Sequence, residues 1–155
     1  MALADTIVVM SKGGIEDVGP PNRVYARPAT RFTAKFMGES TLIEGRISWT
    51  ERRIARVATA LGEISVEGEG EPGTSVAISI RPERMRLRPA EGLTSFGRAR
   101  VTEIVFQGGF VRVLAIAPNG TPILIKALPE QAPDVGATIE PAAAPSDLVL
   151  VRGAA

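Results

Sequence analysis

A chain of 155 residues is long enough for one ordinary domain, or for one domain with an appended segment. It contains neither cysteine nor histidine, which excludes disulfides, thiolate or imidazole metal sites and histidine base catalysis. Its 18 basic and 17 acidic residues leave a net charge of +1, so no strong field favours nucleic acid or an anionic membrane, and no apolar run approaches the ~20 residues that span a bilayer.

The first forty residues read as a compact mixed segment. Ile7 to Met10 form an apolar run, Lys12-Gly13-Gly14 supplies a turn, and Ile15 and Val18 return as a second strand, which predicts a hairpin. Pro20-Pro21 stops the pairing and leads into a short helix over 22–27, broken by Pro28. Thr30 is placed to cap a second helix that carries Phe32 and Phe36 on one face and ends at Gly38.

From Thr41 onward the pattern is all-β. Strands are predicted over 41–50, 53–58, 63–67, 74–81, a short one at 85–87, and then 99–106, 111–117, 122–127, 138–140 and 148–152. Asn119-Gly120 between apolar runs is the strongest hairpin signal, because both residues tolerate φ > 0. Val76, Ile78 and Ile80 alternate with Ala77, Ser79 and Arg81, whereas Val101, Ile104 and Phe106 break the period and predict a bulge near Glu103. Short, evenly spaced strands point to small barrels. The polar stretch 88–96, RPAEGLTSF, reads as a connector between two OB-like lobes, about 41–88 and 97–152, with the last strand returning to the first. Two internal echoes agree. Gly45-Arg46-Ile47 is matched by Gly97-Arg98-Ala99, and Gly73-Thr74-Ser75-Val76 by Gly136-Ala137-Thr138-Ile139.

Each candidate site has a functional and a plain reading. Arg81, Arg84, Arg86, Arg88, Arg98 and Arg100 could hold an oxyanion or a nucleic-acid backbone, or be a solvated strand end, which is favoured. Glu63, Glu67, Glu69 and Glu71 read as a solvated rim. Trp49, Phe106 and Phe110 read as core, since base stacking would need interleaved basic residues. The loop Gln107-Gly108-Gly109 and the motif Arg81-Pro82-Glu83 are the sharpest candidates. In the motif, Pro82 belongs at a strand end, and Arg81 and Glu83, two apart in extended chain, should project together. Arg81 is expected to pin that strand end by bonding carbonyls or a carboxylate between the lobes, with a ligand or partner pocket as the other reading.

Gly19, Pro21, Tyr25, Pro28, Phe32, Ala34, Phe36 and Gly38 stand at the fixed places of a "G-x-P-x-x-x-Y-x-x-P-x-x-x-F-x-A-x-F-x-G" junction. That junction resembles the end of the ATP-binding domain in subunits of ABC importers of the polyamine, sugar and iron branch. Ile80-Arg81-Pro82-Glu83 after Gly73 and Val76, and the Phe106-Gln107-Gly108 turn, are similar to signatures of the TOBE (transport-associated OB-like) domain that follows it. Ser40-Thr41, where the family often has Asn, and Pro145-Ser146-Asp147, where it often has an acidic motif, depart from the pattern.

The resemblance implies a mainly β, OB-like fold behind a hairpin-plus-helix remnant of an α/β ATPase domain, with the remnant over 1–38 and the TOBE domain over 39–155. It implies a regulatory and dimerising domain that is not itself catalytic. The sequence agrees: none of Lys12, Lys35 and Lys126 follows a glycine, so no G-x-x-x-x-G-K-[ST] phosphate loop is present. It further implies no cofactor in this chain, with ATP and Mg²⁺ belonging to the parent subunit. The expected partners are a second copy, permease subunits reached through the ATPase domain, and a small solute or regulator, with no nucleic acid. The expected location is cytoplasmic, at the inner face of the membrane. A small-ligand module for an oxyanion or solute, and less so an OB-type nucleic-acid binder, are the alternatives.

Overall fold

The computed structural model describes residues 4–153. The predicted hairpin forms from β1 (Ile7–Ser11) and β2 (Gly14–Gly19). Lys12 (φ 50°) and Gly13 (φ 80°) are both left-handed, the backbone that a two-residue type I′ turn needs. Helix α1 (Pro21–Ala26) starts on a proline whose missing N–H costs nothing at that position. Helix α2 (Arg31–Phe36) is capped by Thr30, whose hydroxyl accepts from the Thr33 N–H at 3.1 Å. Met37 is the C-cap, and Gly38 (φ 146°) follows it.

The β body comprises β3 (Thr41–Glu51), β4 (Ile54–Thr59), β5 (Gly62–Glu67), β6 (Ser75–Ile80), β7 (Thr94–Ser95), β8 (Ala99–Phe106), β9 (Val111–Ile116), β10 (Pro122–Ala127), β11 (Thr138–Ile139), β12 (Ala142–Ala143) and β13 (Val149–Val151). They pair as a five-stranded sheet β13-β6-β3-β4-β5, a four-stranded sheet β10-β9-β8-β11 and the small pair β12-β7. The fold is mainly β and OB-like, as expected. The short strand predicted at 85–87 reduces to one bridge, Arg86 to Ala142. The connector is not plain loop, since β7 lies in it and pairs with the alanine-rich β12. Low side-chain contrast in Ala142-Ala143 gave no strand signal.

The two larger sheets are copies of one plan, β6-β3-β4-β5 and β11-β8-β9-β10. Both first strands bulge, between Ile47 and Trp49 and between Val101 and Glu103. The same bracket closes each. The Ile47 N–H donates to the Thr74 carbonyl and the Ile47 carbonyl accepts from Gly73, as Val101 does with Ala137 and Gly136. A 3₁₀ turn follows each copy, Pro82–Arg84 and Pro145–Asp147. The repeats then exchange ends: Val149 pairs with Ser79, and Arg86 bridges Ala142. The Gly73/Gly136 echo therefore marks a structural repeat. The other echo is displaced, because Gly45-Arg46-Ile47 corresponds to Ala99-Arg100-Val101.

One apolar core joins the sheets, with Ile43, Ile47 and Ile78 from the first and Val113, Ile123 and Ile125 from the second. On β6, Val76, Ile78 and Ile80 enter that core, while Ala77 meets Val149, Val151 and Leu42 on the opposite face. The alternation is real, but on the outer face Ala77 is buried too, flanked by Val149 and Val151 of the neighbouring β13. At Asn119-Gly120 only Gly120 is left-handed (φ 87°). The Gly120 N–H closes a turn on the Ala117 carbonyl at 2.8 Å. Pro118 at the second position of that turn sets an ordinary right-handed corner instead of the mirror-image one.

Gly45 sits where β3 and β4 pass closely. A Cβ there would lie 2.6 Å from both the Ala58 carbonyl oxygen and Val57 Cγ1. Gly45→Ala should therefore destabilise by about 1–3 kcal/mol through overpacking, read as a lower denaturation midpoint with an unchanged m-value. An unaltered midpoint would show that the strands separate freely there.

Candidate functional site

Arg81 is the convergence point of the molecule. It is only 4% exposed. Its Nε and Nη2 donate to the Tyr25 carbonyl at 2.8 and 2.6 Å. Its Nη1 reaches the Ala34 carbonyl at 2.9 Å, the Glu39 carbonyl at 3.1 Å and the Ser40 hydroxyl at 2.7 Å. The guanidinium also lies 4.2 Å from the Tyr25 ring centroid. Burial pushes this group below its ordinary value, while Tyr25 and Glu83 pull it back up. A planar fork with five donors suits such a cluster of carbonyls, and a lysine would not.

Pro82 begins a 3₁₀ turn, so Arg81 and Glu83 do not project together as extended chain would have them. Arg81 is buried and Glu83 is exposed. They still meet on Tyr25, from opposite ends: the Tyr25 hydroxyl donates to Glu83 Oε1 at 2.6 Å. Burial first, and then the bond to Glu83, raise the Tyr25 phenol above its ordinary range. Arg81 thus bonds the junction segment 25–40 to the strand end, where a tie between lobes was expected.

Two further pairs reinforce the attachment, and a third braces the N-terminal segment internally. Arg31, 2% exposed, pairs with Glu44 at 2.7 Å and also donates to the Gly153 carbonyl. Arg112 on β9 pairs with Glu39 at 2.7 Å. Buried Asp17 accepts from Arg23 at 2.6 Å, from the Val18 N–H at 2.9 Å and from the Ala29 N–H at 2.8 Å. Sequence reasoning missed all three, because Arg31 and Gly153, or Glu39 and Arg112, come together only through the fold.

This attachment turns an apolar surface outward. Val9, Val24 and Ala34 are buried, but Val8, Met10, Ile15, Val18, Phe32 and Phe36 are exposed. Phe36 is 67% exposed, and its ring stacks on Phe32 with centroids 5.7 Å apart.

The other candidates disperse. Gln107-Gly108-Gly109 forms the tip between β8 and β9, with Gly108 left-handed (φ 74°) and the Gln107 N–H bonded to the Phe110 carbonyl at 2.9 Å. No hydrogen bond or ion pair among the described residues joins this tip to Arg81. Phe106 there is 68% exposed, so it is not the core residue that was expected. Trp49 is likewise at the surface, with Arg56 5.2 Å from its ring centroid. The bulge after Ile47 turns Trp49 to the face of Arg56, whereas Phe106 lies opposite buried Val111 and is exposed because it ends β8. Of the arginine cluster, Arg84 pairs with Asp147 at 3.8 Å, while Arg86 and Arg88 line a cavity.

Residues 78–151 match the TOBE domain family. The longer similarity is to ATP-binding subunits of importers, in agreement with the resemblance of the junction to the C-terminal part of such subunits. The chain is 32% identical over 127 residues to the spermidine/putrescine import ATP-binding protein PotA of Trichormus variabilis, covering 77% of this chain and 33% of that protein. It is 32% identical over 131 residues to PotA of Roseobacter denitrificans, covering 81% and 36%. The chain thus spans about a third of the length of these relatives. A solved structure of the cytoplasmic molybdate-binding protein ModG with molybdate bound superposes with a TM-score of 0.63 at 14% identity. That match covers 70% of this chain and 93% of ModG, and it shows a shared fold.

Two outcomes are expected. Arg81→Ala should cost about 3–5 kcal/mol, since several carbonyls lose a charged donor at once, whereas exposed Glu83→Ala should cost at most about 1 kcal/mol. Thermal melts of both variants check the contrast, and a parent-like Arg81→Ala melt would refute the anchoring role. Burial tends to raise the Asp17 pKa, but Arg23 and the Ala29 and Val18 N–H groups outweigh it and hold the carboxyl below 3.8. A lowered folded pKa means stability that is present above the ordinary carboxylate range and lost as pH falls through the folded value. Asp17→Asn should therefore cost about 1–3 kcal/mol at neutral pH, with the deficit shrinking below about pH 4.

Proposed function

We propose that this chain is the regulatory and dimerising C-terminal domain of the ATP-binding subunit of an ABC importer, of the polyamine-importing type named by its relatives, and that it is not itself catalytic. The observation that carries this reading is the rigid seating of the junction. Arg81, Arg31 and Arg112 fix segment 25–40 to the β body, and that segment leaves Phe32 and Phe36 exposed, as β1 leaves Val8 and Met10. A joint built this way passes a displacement of an attached ATPase domain directly to the β body. A flexible linker would absorb it.

In the parent subunit, ATP and Mg²⁺ act in the preceding domain, and paired TOBE domains hold two subunits together while their catalytic faces open and close. The permease is reached through that preceding domain, which places the assembly at the inner face of the membrane. The described residues contain no helix long and apolar enough to cross it.

The purified chain should show neither ATP turnover nor saturable nucleotide binding by calorimetry. Micromolar, Mg²⁺-dependent ATP binding would overturn the non-catalytic assignment. Light scattering should detect pairing at high concentration, and Phe36→Asp should weaken it, because each large apolar side chain uncovered forfeits about 1.5–3 kcal/mol. Pairing that is unchanged in Phe36→Asp would move the dimer contact away from the junction.

A further inference from the structure

The repeats share a plan but end differently. Strand pairing places Glu67 at the end of β5 where Lys126 stands at the end of β10, and Val149-Leu150-Val151 where Arg86-Leu87-Arg88 stand. The first-repeat end is closed. Leu150 packs onto Gly68, where an added Cβ would come within 2.7 Å of it. Glu67 is neutralised there by Arg27 at 3.4 Å and Arg53 at 3.9 Å.

The second-repeat end is open. A cavity of about 660 Å³ lies beside the 3₁₀ turn Pro129–Gln131. Met85, Leu87, Leu93, Ile125, Ala132 and Ile139 give it an apolar lining. Arg86, Arg88 and Lys126 line it as well, and none of them makes an ion pair among the described residues. Lys126 instead lies 4.7 Å from the Phe110 ring centroid. Glu130 is the single carboxylate among the lining residues, and the Glu39 carboxylate, held chiefly by Arg112, also feels the Lys126 charge. The fold does not require the charges, because Val149 and Val151 occupy the places of Arg86 and Arg88 in the other repeat.

We propose that this cavity binds a small organic anion, with an apolar body against the lining and a carboxylate, sulfonate or phosphate held by Arg86, Arg88 and Lys126. Its volume lies within the range of small-molecule sites, roughly 300–1,000 Å³. The partly exposed walls, Leu87, Leu93, Ala127 and Ala132, favour a ligand that covers them, so a bare inorganic oxyanion leaves that attraction unused. A polyamine is repelled by the same three cations. The site therefore takes a ligand unlike the solute named for the relatives, and it does not depend on the importer assignment.

The test is a titration of the isotopically labelled chain, followed through its backbone amide resonances, with naphthalene-2-sulfonate, neutral 2-naphthalenemethanol and inorganic sulfate. The sulfonate should give saturable shifts confined to residues 85–88, 125–127 and 130–132. The neutral analogue should bind at least tenfold more weakly, and sulfate should not saturate at the same concentrations. R88A/K126A should weaken sulfonate binding at least tenfold, and Ala132→Trp, which fills the cavity and keeps its cations, should abolish it. Shifts centred on Phe32 and Phe36, equal affinity for the neutral analogue, or unchanged binding in a folded R88A/K126A chain would overturn the site. Sulfate saturating as tightly as the sulfonate would overturn the apolar-body assignment. If a variant does not fold, the comparison of the three probes on the parent chain decides.

Discussion

A buried guanidinium sets the terms for the rest of this molecule. Taking Arg81 out of water is expensive, and only a full set of acceptors makes its position tenable. Those acceptors are carbonyls of Tyr25, Ala34, Gly38 and Glu39 and the Ser40 hydroxyl, all within 25–40. The junction must therefore take one conformation against the strand end, or the charge is left bare. The two short helices form from local signals, and that demand fixes how they sit against the β body.

The same logic separates strong contacts from weak ones. Arg31 is buried and reaches both Glu44 and the Gly153 carbonyl beyond β13, so its loss would uncouple three segments. Arg56 and Glu63, both near half exposed at 3.4 Å, form a surface pair of the kind that contributes little. Near-neutral net charge thus conceals an uneven distribution: a few arginines hold the architecture and most decorate it.

Local signals in the sequence were sufficient for much of the fold. The Lys12-Gly13 turn, the Thr30 cap, the strands and the Glu103 bulge all rest on neighbours within a few residues, and they are present in the structure. What escaped was set by distance along the chain. Nothing near Ala142 announces a strand, because its partner Ser95 lies far upstream and supplies half of the pairing. Trp49 and Phe106 look like core by composition, yet the bulge in β3 turns Trp49 outward opposite Arg56, and Phe106, though opposite buried Val111, ends β8 and stays uncovered. Arg81 stood out as a motif, but its partners did not, since carbonyl acceptors carry no residue identity.

The exchange of ends between the repeats has a consequence for how the chain comes into being. The sheet begun at Thr41 is finished by Val149–Val151, and until that strand arrives Ala77 and Leu42 face water. Ribosomes add roughly 5–20 residues per second, so the first sheet waits several seconds with an open edge next to β6. Long-range closure of this kind slows folding and exposes unpaired backbone to other chains. The protein is thus most vulnerable in the interval before its last strand is released.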